Sequence, residues 1–466
     1  MKDIKYNKAT INIKIPIEIN GYVRKFIFDN INEYRDIRND FIHNANEYKD
    51  KYGTYEGYNP LSFHTKYFKH EKEIGRYKDH CIGLSEQASR EILTSIKSIR
   101  SHYRKAVKAE DHKHDDEKTA EEGTLHFKSF NKFYGSFKVH NKSDMKKCNK
   151  NPNLTSRIKV TDRYNLVFRS RGKYNGYEPE YIDIRLKEPL YDDIVYHKKG
   201  NHEFTRYYKE GPIKHECRFN AIDIKETCFI HELDIFYIQL TVKVHYVFNI
   251  DEIESRLPKA GIDTGIHNPL VLYDGNTYKI IRMDDKTCRK LHYLERRAKR
   301  LQSIMNNKLR INKERVEQGL MKNKYSNNYE KVRKKYRRTM KRIRNIRRHW
   351  RYEISKMIVT NYKTIVVDTF TQPINTNTRL PKRLKRKINY TNRFHAMCLA
   401  NDVLKHMANK YGCEYIEAPS NTTRTCSCCG YKNKHLPLSQ RNLVCKKCGE
   451  FTDRDMNAAK NCYLYG

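Results

Sequence analysis

The spacing of apolar residues changes period several times along the chain, and each change marks an element. Residues 6–19, YNKATINIKIPIEI, alternate apolar and polar side chains, which is the period of a half-buried strand. From Val23 the steps lengthen: Val23, Phe26, Ile27, Ile31, Tyr34, Ile37 and Phe41 fall on one helical stripe. A second helix is expected after Ser85, a suitable N-cap, with Ala88, Ile92, Ile96, Ile99 and Tyr103 facing a core. Residues 108–123 are charged and nonperiodic and read as a surface loop. From residue 157 the period returns to two, most clearly at Ile238, Leu240, Val242, Val244, Tyr246 and Phe248. These segments predict a β-barrel-like domain that starts with the first strand and receives the helices as an insertion.

A different order follows. In KAGIDTGIHNPLVLYDGNTYKIIRM, residues 259–283, a short apolar strand ends in Gly-Ile-Asp-Thr-Gly. A second strand, 270–273, joins a third, 278–282, through the turn-forming Asp274-Gly275-Asn276. Two long helices come next, the first with Leu291, Leu294, Ala298, Leu301 and Met305 on one stripe. The second places Tyr329, Val332, Tyr336, Met340, Ile343, Ile346, Trp350, Ile354 and Met357 together. Then KTIVVDTF gives a buried strand bearing Asp368, residues 375–391 a basic lid, and 392–410 a helix. Residues 412–419 give a further strand bearing Glu417. Three strands, two helices, strand, helix, strand and a final helix is the order that a ribonuclease-H-like domain requires. Asp263, in mid-strand between small residues that let phosphate and metal approach, is a candidate carboxylate; the alternative is a turn cap.

The final stretch, 426–461, adds metal chemistry. Cys426/Cys429 and Cys445/Cys448 form two Cys-x-x-Cys knuckles separated by fifteen residues, each followed by a glycine, Gly430 or Gly449. Four thiolates at this spacing read as a closed structural zinc site, with Cys428 as a possible alternative ligand and two disulfides as the competing reading. Beyond the last cysteine comes DRDMNAAKN, an acidic helix start. There Asp455 is either an N-cap or a carboxylate that the zinc loop holds rigid; Asp453 is the weaker choice for the second role.

Charge points to the partner. The 466 residues hold 94 Lys and Arg against 55 Asp and Glu, a net +39 with a pI near 9.6. Such an excess calls for a polyanion, and nucleic acid is the default. Residues 286–351 alone carry 25 Lys and Arg against four acids, so the helical hairpin presents a cationic wall, sampled here at Arg337, Arg338, Lys341 and Arg342. No run of eighteen apolar residues occurs, and MKDIKYNKAT has no signal-peptide core. The expectation is a cytoplasmic, non-membrane protein, nucleoid-associated if bacterial, with cysteines kept reduced.

At this point the series GIDTG, basic hairpin, KTIVVD, TTRTCSCCG, CKKCG and DRDMNAAKN closely resembles the TnpB proteins of insertion sequences. These are RNA-guided nucleases related to Fanzor and to compact type V CRISPR effectors. The resemblance is strong over 259–466 and weaker over 1–258, where it rests on architecture and the phrase IQLTVKV. It implies an α/β multidomain chain: a wedge β-barrel from 1–20 and 151–255, and a helical recognition insertion at 21–150. A RuvC-like nuclease domain from 256–420 and 450–466 would follow, with a zinc finger inserted at 421–449. It further implies a guide RNA, a double-stranded DNA target cut beside a short flanking motif, and two-metal hydrolysis with two Mg2+ ions besides one structural Zn2+. Asp263 matches the first RuvC carboxylate and Asp455 the third. The middle position departs from the family pattern: Asp368 stands where Glu is usual, and Glu417 is the alternative. Relatives that have lost nuclease carboxylates act as RNA-guided DNA-binding repressors, the runner-up reading. A zinc-dependent DNA-binding protein working without RNA is a third. The sequence leaves monomer or dimer open, with a monomer favoured.

Overall fold

The computed structural model describes residues 5–73, 84–110, 120–128, 131, 133–140, 158–162, 164–171, 180–190, 195–196, 224–248, 250–264, 268–368, 400–419, 421–433 and 440–465. The basic segment 375–391 and the start of the helix expected at 392–410 lie outside these residues. The chain divides into two compact units, residues 10–244 and residues 1–9 with 245–466.

In the first unit, strand β1 (Lys5–Pro16) leads into helices α1 (Gly21–Tyr52), α2 (Pro60–Glu73) and α3 (Leu84–Glu110). Strands β2 (Tyr134–His140), β3 (Ile158–Val160), β4 (Asn165–Arg171), β5 (Glu180–Arg185), β6 (Val195–Tyr196), β7 (Ile224–Glu232) and β8 (Ile235–Phe248) follow. One sheet runs β1-β8-β7-β2, with β6 also on β8, and a second runs β3-β4-β5. The strands expected to close a barrel thus lie in two sheets, with an isolated bridge between Ile17 and Leu186. Alternation explains the burial: Ile13, Ile15, Ile238, Leu240 and Val242 are all inside. Phe26 of α1 lies 5.9 Å from Phe137, 5.8 Å from Phe229 and 6.0 Å from Phe168, so one aromatic cluster joins helix and both sheets. Two expectations shift. Asn20 caps α1, its side chain accepting from Val23 N, while α3 starts at Leu84 and so takes Ser85 into its first turn. Glu122, placed by sequence in a solvated loop, is buried and accepts from Tyr55 N at 2.9 Å.

The second unit is built on a five-stranded sheet. Helix α4 (Ile250–Glu254) precedes strands β9 (Leu257–Asp263), β10 (Leu270–Tyr273) and β11 (Tyr278–Ile281). Helices α5 (Asp285–Glu317) and α6 (Asn327–Asn361) form the hairpin, followed by β12 (Tyr362–Asp368), α7 (Ala400–Tyr411) and β13 (Glu414–Ala418). The two-stranded ribbon of β14 (Asn442–Val444) and β15 (Phe451–Asp453) leads into α8 (Arg454–Tyr465). The sheet order is β11-β10-β9-β12-β13, with β9, β12 and β13 parallel and the hairpin β10–β11 antiparallel on β9. One face packs Ile262, Ile365 and Val367 against Ile358, Leu404 and Met407. The other packs Val366 and Ala418 against Cys462 of α8. Gly261 lets that helix lie against the sheet, since a Cβ there would stand 2.2 Å from Ala459 O and 2.3 Å from Tyr463 N.

In the hairpin, Asp284 and Ser326 cap α5 and α6, and Met283, Leu291, Leu294, Ala298 and Ile343 fill the seam. The stripe expected on α6 drifts out of phase. Met340 and Met357 are exposed, while Thr339, Arg351 and Ser355 are buried. Its mean step is near 3.5, and a straight α-helix rotates away from such a repeat by about 20° per heptad. Thr339 meets burial by donating to Lys335 O at 2.9 Å. Of the four cations that sampled the wall, Arg338 and Arg342 are exposed, and Arg337 and Lys341 half-buried.

Candidate active site and metal centre

Parallel pairing decides which carboxylates can meet. Ile262 of β9 lies opposite Val367 of β12, and Val367 opposite Glu417 of β13. One residue further on come Asp263 and Asp368, side by side at the ends of their strands, with Ala418 next to Asp368. Side chains alternate along a strand, so Asp263 and Asp368 share the face of Gly261 and Val366, where α8 packs. Glu417 shares the opposite face with Ile262 and Val367; it is exposed and accepts from Lys405 Nζ of α7 at 3.0 Å. The structure therefore brings Asp368 to Asp263 and keeps Glu417 away.

Helix α8 supplies the third carboxylate. Asp453 is its cap, accepting from Asp455 N at 2.9 Å and Met456 N at 3.2 Å. This leaves Asp455, buried in the first turn, free of the capping role. Its Oδ2 accepts from Asn268 Nδ2 at 3.0 Å and from Arg441 Nη2. Arg282 donates in turn to Asn268 Oδ1, which fixes the amide's orientation. Burial, then the neighbouring Asp455 and Asp368, hold the Asp263 carboxyl well above the usual carboxylate range, against a smaller opposing effect of Arg454 and Arg441. Three carboxylates that repel one another in a buried corner call for a cation. Their all-oxygen donor set suits a hard ion such as Mg2+.

The four cysteines form a tighter cluster. Sγ of Cys426 lies 3.7 Å from that of Cys448, and Cys429 Sγ lies 3.6 Å from Cys445 Sγ. All four sulfurs fall within 4.8 Å of one another; among the described residues no other group of three or more His, Cys, Asp or Glu is so close. Tetrahedral bonds of about 2.3 Å from sulfur to Zn2+ give sulfur–sulfur edges of about 3.8 Å, so the set fits that ion. Each knuckle closes by a backbone turn, Gly430 N to Cys426 O at 3.0 Å and Gly449 N to Cys445 O at 2.9 Å, and both glycines have left-handed φ. Cys428 is exposed and outside the cluster.

The two sites are joined by amides that sequence reasoning missed. Asn457 of α8 donates to Thr425 O at 2.7 Å and accepts from Ser427 N at 2.9 Å. Asn461, one turn on, donates to Thr422 O at 2.6 Å and Thr425 O at 2.7 Å. Thr422 Oγ1 donates to Asp368 Oδ2 at 2.8 Å. The segment entering the first knuckle is thus tied to the helix of Asp455 and to Asp368. The one sequence signal for this was two asparagines at i and i+4 in DRDMNAAKN, which share a helix face.

The family model described as Cas12f1-like, TNB domain matches residues 400–462, from α7 through the knuckles to α8. TnpB-like protein L79 of Acanthamoeba polyphaga mimivirus is 28% identical over 210 residues, 44% of this chain and 37% of that protein. The putative RNA-guided DNA endonuclease InsQ of Escherichia coli (strain K12) is 25% identical over 223 residues, 44% of this chain and 48% of that protein. Over these stretches, each less than half of its length, the chain is similar to TnpB and Cas12-type proteins. Another relative, the CRISPR-associated DNA-binding protein Cas12m of Thermanaerosceptrum fracticalcis, is 33% identical over 112 residues, 23% of this chain and 19% of that protein. The chain spans less than half the length of each of these TnpB/Cas12-type relatives.

Proposed function

We propose that the protein is an RNA-guided DNA endonuclease whose second unit is a RuvC-like nuclease domain of ribonuclease-H type with an inserted zinc finger. The observation that carries this reading is the placement of Asp263, Asp368 and Asp455 on one side of a mixed five-stranded sheet, with α8 delivering the last of them. The carboxylates are spaced more widely than the thiolates, which are the only such group within 4.8 Å of one another among the described residues, and their oxygen donors would suit Mg2+. Mg2+, when bound, supplies Lewis acidity for attack by water and departure of the leaving oxygen. The chain's own residues set the geometry: Asp263 and Asp368 from strand ends, Asp455 from a helix start, with Asn268 and Arg441 orienting Asp455. The thiolate cluster would hold one structural Zn2+. A guide RNA paired with one strand of double-stranded DNA would provide sequence specificity, with a short flanking motif read by the protein. The wedge (1–20 and 151–255), the helical insertion (21–150) and the cationic hairpin would follow its phosphates, which the net charge of +39 supports.

A second reading, a nuclease-inactive RNA-guided repressor, draws on two observations. Asp368 is one methylene shorter than the usual Glu, and one relative is named a DNA-binding protein. Sequencing RNA that co-purifies with the protein, then offering guide-matched DNA with Mg2+, separates the readings. Cleavage of matched DNA alone is expected. Tight binding without cleavage would favour the repressor, and absence of specific RNA would sink both.

A further inference from the structure

Beside the carboxylates lies an apolar surface that the nuclease reading does not use. In the ribbon of β14 and β15, Val444 stands opposite Phe451, Leu443 opposite Thr452 and Asn442 opposite Asp453. Alternation puts Val444, Phe451, Asn442 and Asp453 on one face. Leu443, on the other, is 1% exposed, whereas Val444 is 53% and Phe451 65% exposed. The ribbon therefore buries the side of Leu443 and leaves its one aromatic ring in water, with no ring partner among the described residues. Val444 and Phe451, cross-strand neighbours, thus form an exposed apolar pair on that face.

We propose that Phe451, backed by Val444, is a base-stacking platform that holds an unpaired nucleic-acid strand where it enters the carboxylate site. Position supports this. Asp453, two residues along the same face and so about 7 Å away, caps the helix whose first turn carries Asp455. Charge complementarity supports it too. Residues 421–453 hold six Lys and Arg against two acids, and Lys446 and Lys447 are exposed on the adjoining knuckle. Cations beside an exposed ring match a strand that offers phosphates and base faces together. A duplex hides its base faces within its own stack, so the ring selects a single strand. The inference rests on the proposed reading for the identity of that strand, but stacking does not require cleavage.

The test uses full-length protein carrying Asp263→Ala, with its co-purified RNA, at raised salt so that phosphate contacts are screened. Affinity is measured for a short single-stranded DNA and for the same strand made abasic. The parent is expected to prefer the base-containing strand by about 5- to 100-fold, the range that one stacked base contributes. Phe451→Ala should bring the ratio near one and Phe451→Trp should restore it, with zinc content unchanged in both. A parent without preference, or an unchanged ratio in Phe451→Ala, overturns the platform. Self-association lost in Phe451→Ala without any change in the ratio overturns it in favour of a second copy. If wild-type protein never cuts matched DNA but the ratio shifts as expected, the nuclease reading fails and the platform stands.

Discussion

The thiolate set and the carboxylate set both offer donors that suit cations, and they are assembled in opposite ways. Cys426, Cys429, Cys445 and Cys448 come from one short stretch, and two backbone turns bring their sulfurs within 4.8 Å of one another. Asp263, Asp368 and Asp455 come from two strands and a helix far apart in sequence, the whole helical hairpin lying between Asp263 and the other two. Nothing local brings those three together. Their meeting depends on the β9–β12 register, on Gly261 admitting α8, and on Asn457, Asn461 and Thr422 tying α8 and Asp368 to the knuckle segment. The closed set is therefore a fixed point, and the open set is hung from it. Damage should pass from thiolates to carboxylates and not the other way.

The largest effect is expected at the cysteines. Cys445→Ser should drop zinc well below one ion per chain, because thiolate–zinc binding is itself the folding energy of such a segment. Cleavage should disappear with it, since the partners of Asn457 lie in that segment. Full zinc occupancy in a Cys445→Ser/Cys448→Ser double variant would break the comparison. Gly261→Ala works from the other side. A methyl group 2.2 Å from Ala459 O must displace α8, at about 1–3 kcal/mol. Cleavage should fall while zinc stays at one per chain, and loss of zinc in this variant would contradict the proposed direction of dependence. Asn457→Ala should cost a similar or smaller amount, about 1–2 kcal/mol for buried groups left unpaired, again with zinc retained by elemental analysis. Smallest is the hairpin. Neutralising Arg337, Arg338, Lys341 and Arg342 should leave both sets intact and flatten the slope of log affinity against log salt by about 2 rather than 4, because only Arg338 and Arg342 are exposed.

The same contrast governs what could be read from sequence. Cysteine spacing names its ligands because two residues between thiolates is a local geometric condition. The strand order and GIDTG were legible through short-range pattern. Asn268 and Arg441 were not, because only the folded sheet brings them to Asp455. Asp368 and Glu417 could not be separated either: each lies in a clear strand, but the face each uses depends on a register between strands far apart in sequence. The α6 stripe shows a third limit. A mean step near 3.5 fits several phases of a long straight helix, and packing selected one that buries Thr339 and exposes Met340.

The central claim is that the catalytic carboxylates are Asp263, Asp368 and Asp455. It is tested most directly by cleavage of guide-matched DNA in Mg2+, with binding measured in parallel on the same variants. Asp263→Ala, Asp368→Ala and Asp455→Ala should each slow cleavage by more than about 100-fold, exceeding what loss of an outer partner costs, while matched DNA is still bound. Glu417→Ala, which removes only an exposed ion pair with Lys405, should stay within about 5-fold of the parent. Full activity in Asp368→Ala together with loss in Glu417→Ala would contradict the site described here.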